Sequence, residues 1–417
     1  MRQRSNWTVS KIGEYCLVGD GAHAKIQRQE SGVMYLSSKN FKPEGMDLSK
    51  VEFISEEDFE RYFRKTSKAL TKPEPSDVLV GIIGSLGEPY VVRPSDRFGL
   101  SSSVAIIRPR RDVILPEYLY YWMKGSTFQR AVYGIKGGVA QSYLSLEMIR
   151  SLPLRFPSLI VQQRTVDILS AYDVMIENNT RRIKILEEMA QMIYREWFVN
   201  FRFPGDEKAK VKTINGRRVP DGWEVRNLFD LSEVTYGFPF KSKLFSEERM
   251  GIPVVRIRDI VSGSTGTLTT ELADEKYLLR NGDLLVGMDG DFHMGKWSGG
   301  KAYLNQRVVR FRPKKNLSPY YLFLAIQAPI NHFDSTIVGT TVAHLGDRDL
   351  RSIELLIPDH ETLKRAESIL NPCYELEINL ALKNSNLRET RDLLLPRLIS
   401  GEISVDQLET EPATQIS

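Results

Sequence analysis

The sequence SLIVQQRTVDILSAYDVMIENNTRRIKILEEMAQMIYREWFVN, residues 158–200, decides how the rest of the chain can fold. It contains no glycine and no proline. Its residues follow two interleaved seven-residue series, which are Leu169, Ile176, Ile183, Ala190 and Trp197, and Tyr172, Asn179, Leu186 and Ile193. This a/d spacing is typical of a helix that packs lengthwise against a partner helix. At 1.5 Å per residue, such a helix is about 60 Å long.

The same kind of segment recurs later in the chain at a constant offset of 201 residues. The identical pairs include Leu144/Leu345, Arg150/Arg351, Arg164/Arg365, Leu169/Leu370 and Leu186/Leu387. Upstream of these pairs the two copies still match, but with a drifting offset: DVLVGIIG (77–84) corresponds to DLLVGMDG (283–290), and Arg108-Pro corresponds to Arg312-Pro. A packed helix tolerates no insertion, whereas surface loops do. The chain is therefore two copies of one unit, a variable block followed by a long helix.

The second helix carries apolar residues at d and polar residues at a. The predicted seam of the two helices consists of Leu169, Ile176, Ile183, Leu186, Ile193, Leu380, Leu387 and Leu394. A buried asparagine costs stability but fixes register, so Asn179 and Asn384 either pair in the seam or face solvent. Two such helices in one chain most simply pair antiparallel about a pseudo-twofold axis, which would hold the two blocks roughly 50–70 Å apart.

The predicted fold class is α+β, with two mixed α/β blocks and two long helices that form an antiparallel intramolecular coiled coil. The predicted boundaries are block one at 1–157, helix one at 158–200, a linker at 201–222, block two at 223–357, helix two at 358–403 and a polar tail at 404–417. Apolar runs at 78–84 and 104–109 indicate strands, and PEYLYYWMKGS (116–126) indicates a short helix.

Composition restricts the function classes. No run is apolar and long enough to span a membrane, and the N-terminus has no apolar signal core, so we expect a cytoplasmic protein without a membrane partner. The two cysteines, Cys16 and Cys373, are too few for a disulfide framework. The net charge of +4 is compatible with an ordinary solvated surface as well as with a DNA-binding one.

The motifs that could indicate catalysis are weak. Asn371-Pro-Cys-Tyr374 departs from the Asn-Pro-Pro-Tyr loop of adenine methyltransferases at Cys373 and lies inside the second helix, where Pro372 predicts an irregularity. Pro358-Asp-His-Glu has the wrong spacing for a nuclease triad, and Asp359 suits a helix N-cap. The glycine-rich 81–87 lacks a Walker lysine, and no Cys/His cluster has metal spacing. We predict no catalytic residue and no metal site.

Four motifs in this order resemble the specificity subunit of type I restriction-modification enzymes. They are YREWFVNFRFPG (194–205), VPDGWE (219–224), GDLLVGMDGD (282–291) with Asn305-Gln-Arg307, and LLLPRLISGEI (393–403). The duplicated layout of block and helix supports the resemblance over essentially the whole chain. The first block departs from it at Ile83, where the second copy has an aspartate.

The resemblance implies a non-catalytic subunit that reads a bipartite, asymmetric target in double-stranded DNA. Each block would be a target recognition domain, and the helices would set the spacer between the half-sites. Two modification subunits would dock on the helical regions and methylate adenine with S-adenosylmethionine. Restriction subunits would cut unmodified DNA with ATP and Mg²⁺. No cofactor is expected in this chain.

Base reading needs polar side chains on loops, and phosphate contacts need Lys or Arg nearby. The predicted DNA-binding residues of block one are Lys39, Asn40, Ser101, Ser102, Lys136 and Gln141. Those of block two are Arg256, Arg258, Asp259, Lys296, Asn305, Gln306 and Arg307. For each of them, a surface salt bridge or a turn hydrogen bond is the alternative role. The competing function classes are a self-contained DNA methyltransferase or nuclease, and a coiled-coil scaffold that binds only protein.

Overall fold

The computed structural model of the chain describes residues 7–43, 45–64, 69–136, 143–246, 250–314, 317–336 and 343–405. The chain divides into two compact units, which we call unit 1 (1–174 and 389–417) and unit 2 (175–388). Each long helix therefore contributes one segment to each unit. The predicted boundaries treated the helices as separate segments, whereas in the structure each helix segment packs into the core of its own unit.

Ten α-helices lie in the described residues. They are α1 (Ile12–Tyr15), α2 (Glu56–Tyr62), α3 (Pro116–Lys124), α4 (Ser126–Lys136), α5 (Leu146–Ser151), α6 (Leu159–Tyr194), α7 (Leu228–Leu231), α8 (Pro319–Thr336), α9 (Asp347–Arg351) and α10 (His360–Ile399). A π-helical turn, Arg195–Val199, extends α6. Helix α10 runs through Pro372 to Ile399, and Asp359 caps its start, since its Oδ1 accepts a hydrogen bond from the Thr362 amide at 3.0 Å.

The strands of unit 1 are β1 (Thr8–Lys11), β2 (Cys16–Asp20), β3 (Val33–Leu36), β4 (Phe41–Lys42), β5 (Gly45–Met46), β6 (Glu52–Ile54), β7 (Val78–Gly81), β8 (Pro89–Val91), β9 (Phe98–Leu100), β10 (Val104–Pro109) and β11 (Pro153–Phe156). Its largest sheet has the order β2-β10-β7-β8. A three-stranded sheet, β6-β3-β9, and the pair β1-β11 accompany it. Alternate side chains of β7 and β10 fill two hydrophobic clusters, one of them shared with α3 and with residues of both long helices.

The strands of unit 2 are β12 (Val211–Ile214), β13 (Arg217–Pro220), β14 (Glu224–Asn227), β15 (Ser232–Tyr236), β16 (Phe245–Ser246), β17 (Ile252–Val255), β18 (Leu268–Thr269), β19 (Leu278–Leu279), β20 (Leu284–Gly287), β21 (Met294–Lys296), β22 (Ala302–Leu304), β23 (Val308–Pro313) and β24 (Glu354–Ile357). The sheet β15-β23-β20-β21 repeats the order of the main sheet of unit 1, and β14-β24 repeats β1-β11. The internal repeat that the sequence predicts is therefore a repeat of strand order.

An arginine–aspartate pair with a buried carboxylate recurs in each main sheet. In unit 1, Arg108 Nε and Nη2 donate to the two carboxylate oxygens of Asp77 at 2.7 and 2.8 Å. In unit 2, Arg312 makes the same contacts with Asp283 at 2.6 and 2.7 Å. Both aspartates are almost fully buried. Such a pair is costly to break, because loss of one partner leaves a buried charge without compensation. It ties the start of β7 or β20 to the neighbouring central strand.

The two long helices pair antiparallel within each unit. In unit 2, Asn179 Nδ2 donates to Asn384 Oδ1 at 2.9 Å, and Lys296 contacts both Glu187 and Glu377. In unit 1, Arg391 contacts Asp173 at 2.6 Å, and the Arg164 side chain donates to the Val405 carbonyl. In both units, the residues of α6 with lower numbers therefore face residues with higher numbers on or just after α10.

The predicted seam lies inside this pairing. None of its eight residues is exposed; Leu169 and Leu380 are buried, and the others are half-buried. Asn384 is 2% exposed and also donates to Thr180 Oγ1, so it takes the buried role and not the solvent-facing one.

Within the predicted linker 201–222, the structure has a 3₁₀ turn (Asp206–Lys208) and two strands. Strands β12 and β13 pair as a hairpin around Asn215 and Gly216, both of which have positive φ. Asn-Gly between two short β-prone runs is the sequence signal that could have predicted this hairpin, which was not predicted. No helix of the described residues is long and apolar enough to cross a membrane.

Candidate nucleic-acid interface

A cleft of about 460 Å³ opens on unit 2. It is lined by Arg256, Ile257, Arg258, Asp289, Asp291, His293, Asn305, Gln306 and Arg307. These residues come from the segments that follow β17, β20 and β22. Five of them, Arg256, Arg258, Asn305, Gln306 and Arg307, are among the predicted DNA-binding residues. The fold therefore brings together residues from two distant segments that sequence reasoning had selected separately.

A short 3₁₀ turn (Ile257–Asp259) positions the first of these segments. Asp259 is buried, and its Oδ2 accepts a hydrogen bond from the Arg256 amide at 2.9 Å. This cap directs the carboxylate inward and leaves the side chain of Arg258 exposed. Asp259 is thus a structural residue of the turn, which corrects its prediction as a DNA contact.

Unit 1 has the same turn at Ser38–Asn40. The Asn40 Oδ1 accepts from the Ser37 amide at 2.9 Å, and its Nδ2 donates to the carbonyls of Asp47 and Lys50. Because Asn40 is buried and its amide is occupied, its prediction as a DNA contact is also corrected. Lys39, which precedes Asn40, is exposed and has the same place in this turn as Arg258 has in the turn of unit 2. Lys39-Asn40 therefore corresponds to Arg258-Asp259, and only the cation of each pair faces outward.

The loop between β22 and β23 forms the opposite wall of the cleft. Strand β15 ends against this loop at Gly237, where a Cβ atom would lie 1.9 Å from the Asn305 carbonyl oxygen. A close approach of this kind requires glycine. The Asn305 Oδ1 atom is buried and has no hydrogen-bond partner in the described part of the chain.

Arg307 has a left-handed backbone, with a φ of 72°. Its Nε lies 3.4 Å from Asp289 Oδ2, and its Nη1 lies 3.4 Å from His344 Nδ1. His344 Nδ1 is also 2.7 Å from Asp289 Oδ1. One ring nitrogen cannot both donate to the carboxylate and accept from the guanidinium, so the shorter contact indicates that Nδ1–H donates to Asp289. Sequence reasoning missed Asp289 and His344 as a pair, although a β-bridge also joins their backbones.

The charges of the cleft are mixed. Three arginines share it with Asp289 and Asp291. A site for phosphate alone would gain nothing from carboxylates, which repel it. Base edges, in contrast, present both donors and acceptors in the major groove. The cleft therefore has the chemistry of a surface that reads base edges, with exposed cations at its rim.

The loop of unit 1 that corresponds to 305–307 consists of three serines at 101–103. Ser101 and Ser103 bind each other through their hydroxyl groups at 2.6 Å, and Ser103 Oγ accepts from the Ser38 amide, so Ser101 has a structural contact; Ser102 is half-buried beside them. The described structure includes Lys136 in α4 but not its side chain, and Gln141 lies outside the described residues.

The motifs that resembled catalytic sites have structural roles. Cys373 is buried in α10, and the Tyr374 hydroxyl donates to the Gly282 carbonyl.

Burial raises the pKa of the Cys16 thiol to about 12, which keeps it protonated at neutral pH. Within the described ranges, no three His, Cys, Asp or Glu residues are grouped so that they could hold a metal ion.

Lys296 does not face solvent, which corrects its prediction as a DNA contact. Its side chain is 8% exposed and forms ion pairs with Glu377, which is 5% exposed, and with Glu187 at 3.1 Å. Its Nζ also lies 4.8 Å from the ring centroids of Tyr320 and Phe323. Two carboxylates and two aromatic faces compensate the buried ammonium group, so Lys296 fastens β21 to the long helices.

Comparisons with known proteins converge on one family. A family model described as the type I restriction modification DNA specificity domain matches residues 4–188 and 220–386. The type I restriction enzyme MjaIX specificity subunit of Methanocaldococcus jannaschii is 27% identical over 313 residues, which cover 72% of this chain and 71% of that protein. The HindI specificity subunit of Haemophilus influenzae is 23% identical over 75% of this chain and 83% of its own. The crystal structure of the type I system S subunit from M. genitalium shares the fold, with a TM-score of 0.57 and 14% identity over 95% of this chain and 97% of that one.

The buried Lys296 generates a prediction. Lys296→Met should lower the free energy of unfolding by about 3–5 kcal/mol at pH 8, because Glu377 is then buried without a cation. Burial already raises the pKa of Glu377, and loss of Lys296 raises it further. A carboxyl whose pKa is raised in the folded state destabilises that state at a pH where the carboxyl is ionised, and not at a pH where it is protonated. The loss of unfolding free energy should therefore be smaller at pH 5 than at pH 8. Thermal unfolding at both pH values measures it, with Lys301→Met at an exposed lysine as the control. A loss of equal size at pH 5 and pH 8 would contradict the assignment.

Proposed function

Because the chain belongs to the family of type I restriction-modification DNA specificity proteins, we propose that its two units are target recognition domains that each read one half of a split DNA sequence. The chain is the sequence-specific DNA-recognition subunit of a type I system and is not itself catalytic. The observation that carries the proposal is the cleft of unit 2, where loops distant in sequence present arginine, asparagine, glutamine and aspartate side chains around one cavity.

Two kinds of contact follow from the geometry of the cleft. Arg258 lies at the exposed end of its turn, where it donates to Thr267 Oγ1 at 3.2 Å and lies 3.7 Å from Asp259 Oδ1, and its exposed guanidinium is suited to a phosphate. Gln306 and Arg307 are exposed at the tip of their loop and are suited to base edges. Lys39 would serve unit 1 as Arg258 serves unit 2. Phosphate contacts set the position on the duplex, and base contacts give the sequence preference.

The two units differ where they correspond, so the two half-sites should differ. The Ile82 amide donates to the Ser103 carbonyl at 2.8 Å, and the Met288 amide donates to the Arg307 carbonyl at the same distance. The next residues form matching β-bridges, Ile83 with Tyr143 and Asp289 with His344. Where unit 2 has Arg307, Asp289 and His344, unit 1 thus has Ser103, Ile83 and Tyr143. An asymmetric target follows from this asymmetry.

The partner subunits supply the chemistry in this proposal. Modification subunits would bind S-adenosylmethionine, and restriction subunits would bind ATP and Mg²⁺, in the cytoplasm. Ile185, Met189 and Met192 lie on one face of α6 in unit 2, and all three are exposed. Exposed apolar residues at this spacing are typical of a surface that another protein covers. We assign this face to a modification subunit.

The recognition proposal is tested by DNA binding. The chain, in complex with its modification subunits, should retain one duplex sequence in preference to others. Arg258→Ala should weaken binding to all duplexes alike and reduce the slope of log affinity against log salt by about 1, because one phosphate contact is lost. Arg226→Ala, at an exposed arginine outside the cleft, is the matched control. Retention that is insensitive to DNA sequence in the wild-type complex would favour a protein scaffold and overturn the proposal.

The docking proposal is tested by assembly. Met189→Glu together with Met192→Glu should prevent co-purification of at least one modification subunit, because a buried interface would have to take up two unpaired carboxylates. Thermal unfolding of the isolated chain should change little, since both residues are exposed. Glu177→Gln, on the same helix and also exposed, should leave assembly intact. Normal assembly of the double variant would exclude this face as the docking surface.

The helices are proposed to set the spacer, since both α6 and α10 contribute residues to both units. Duplicating one heptad in each helix, at 176–182 and at 380–386, preserves the a/d pattern and lengthens each helix by about 10 Å. The spacer of the methylated target should then grow by about 3 base pairs at about 3.4 Å each, while both half-sites stay the same. Mapping of methylated adenines in host DNA measures this. Altered half-sites with an unchanged spacer would contradict the proposal.

A further inference from the structure

Arg307 combines two features that a turn residue does not need. Its φ of 72° lies in the left-handed region, which costs a non-glycine residue energy and which glycine or asparagine adopts more readily. Its side chain is also held at one end, since Nε faces Asp289 at 3.4 Å. Strained residues of this kind persist where the surrounding structure determines them, and they concentrate at functional sites.

The orientation of the guanidinium follows from its neighbours. Asp289 is fixed by the hydrogen bond from His344 and by its backbone bridge to the same residue. It therefore offers Nε of Arg307 a carboxylate whose position is set. The terminal nitrogens remain for a ligand, because Nη2 has no partner among the described residues and Nη1 has only the long contact with His344. The side chain is 53% exposed at the cleft.

We propose that Arg307 reads one guanine of the half-site bound by unit 2, donating from its two terminal nitrogens to O6 and N7 in the major groove, with Asp289 and His344 as positioning residues. This inference rests on the proposed DNA-binding function of the cleft. In the major groove, guanine presents two neighbouring acceptors, O6 and N7. A planar guanidinium that is anchored at Nε can donate to both of them from its two terminal nitrogens.

Recognition of a phosphate by Arg307 fits the structure less well. A phosphate on Arg307 would lie close to the Asp289 carboxylate, which is within contact distance of the same guanidinium, and to Asp291 on the cleft wall. Like charges at this distance disfavour the complex. A guanine edge carries no net charge and escapes this repulsion.

Unit 1 provides an internal contrast. The residue in the place of Arg307 is Ser103, and those in the places of Asp289 and His344 are Ile83 and Tyr143, which are 44% and 48% exposed. Ser103 does not have a positive φ, so the strain is present only where the arginine is. The same backbone connections therefore carry a guanidinium, a carboxylate and an imidazole in unit 2, and a serine, an isoleucine and a tyrosine in unit 1.

The test uses the full chain with its modification subunits and the duplex that the wild-type complex methylates. Each guanine of the target is replaced, one at a time, by 7-deazaguanine, which lacks the N7 acceptor. At one position in one half-site, the replacement should weaken binding of the wild-type complex about 5- to 150-fold. For Arg307→Ala the same replacement should have no effect, while its effect at any other guanine should persist.

Three further variants separate reading from folding. Arg307→Lys keeps the charge but not the planar fork, so it should lose discrimination at that base pair while binding of unrelated DNA changes less than twofold. Asp289→Asn should reduce discrimination at the same base pair and add nothing in combination with Arg307→Ala. Arg307→Gly should melt at or above the wild-type temperature, because glycine adopts this φ without strain.

Each failure has its own meaning. If the wild-type complex tolerates 7-deazaguanine at every position, or if Arg307→Ala weakens all duplexes equally and the deaza effect remains, the guanine assignment is overturned while the DNA-binding cleft stands. If the wild-type complex shows no sequence preference at all, the proposed function fails first, and the guanine assignment fails with it.

Discussion

The register of α6 against α10 is the constraint on which both units depend, and polar side chains set it. Positions a of α10 that a simple coiled coil would fill with leucine are Glu377, Asn384 and Arg391, and each has a specific partner. A shift of one heptad would separate Asn384 from Asn179 and Arg391 from Asp173, and a buried polar group that loses its partner costs about 1–3 kcal/mol. The polar residues thus select one register within each unit.

The blocks are attached to the helices through these same groups. In unit 2, Lys296 at the end of β21 forms an ion pair with Glu377. In unit 1, the Tyr121 hydroxyl of α3 donates to Asp173 at 2.6 Å, and Asp173 also accepts from Arg391. The polar groups that fix helix register therefore also fix the orientation of each sheet on its own helix segments. Register and the placement of the proposed recognition surface are coupled within each unit.

The sequence predicted the features that depend on periodicity and repetition, and it was wrong where burial decides the role. The helices, the seam and the repeat were readable because a spacing of seven residues and a constant offset follow directly from helix packing. Asn40, Asp259 and Lys296 were assigned to DNA because they are polar and near loops, but residue type does not reveal whether a side chain points into a turn or into the core. The contact of Asp289 with His344 joins residues far apart in sequence, and the only sequence signal for it was the replacement of Asp289 by Ile83 in the other copy.

The division of labour in each unit explains how such a chain can change its DNA target without losing its fold. The Arg–Asp pairs of the main sheets, the glycines at 21 and 237 and the capped 3₁₀ turns are present in both units and hold the backbone of the loops. Side chains that line the cleft, such as Arg258 and Gln306, contribute little to this framework, because they are exposed. Substitutions there should alter the proposed DNA-binding surface at small cost in stability. Arg307 is the exception, since its left-handed backbone gives up local stability at a position where the other unit has a serine without a positive φ.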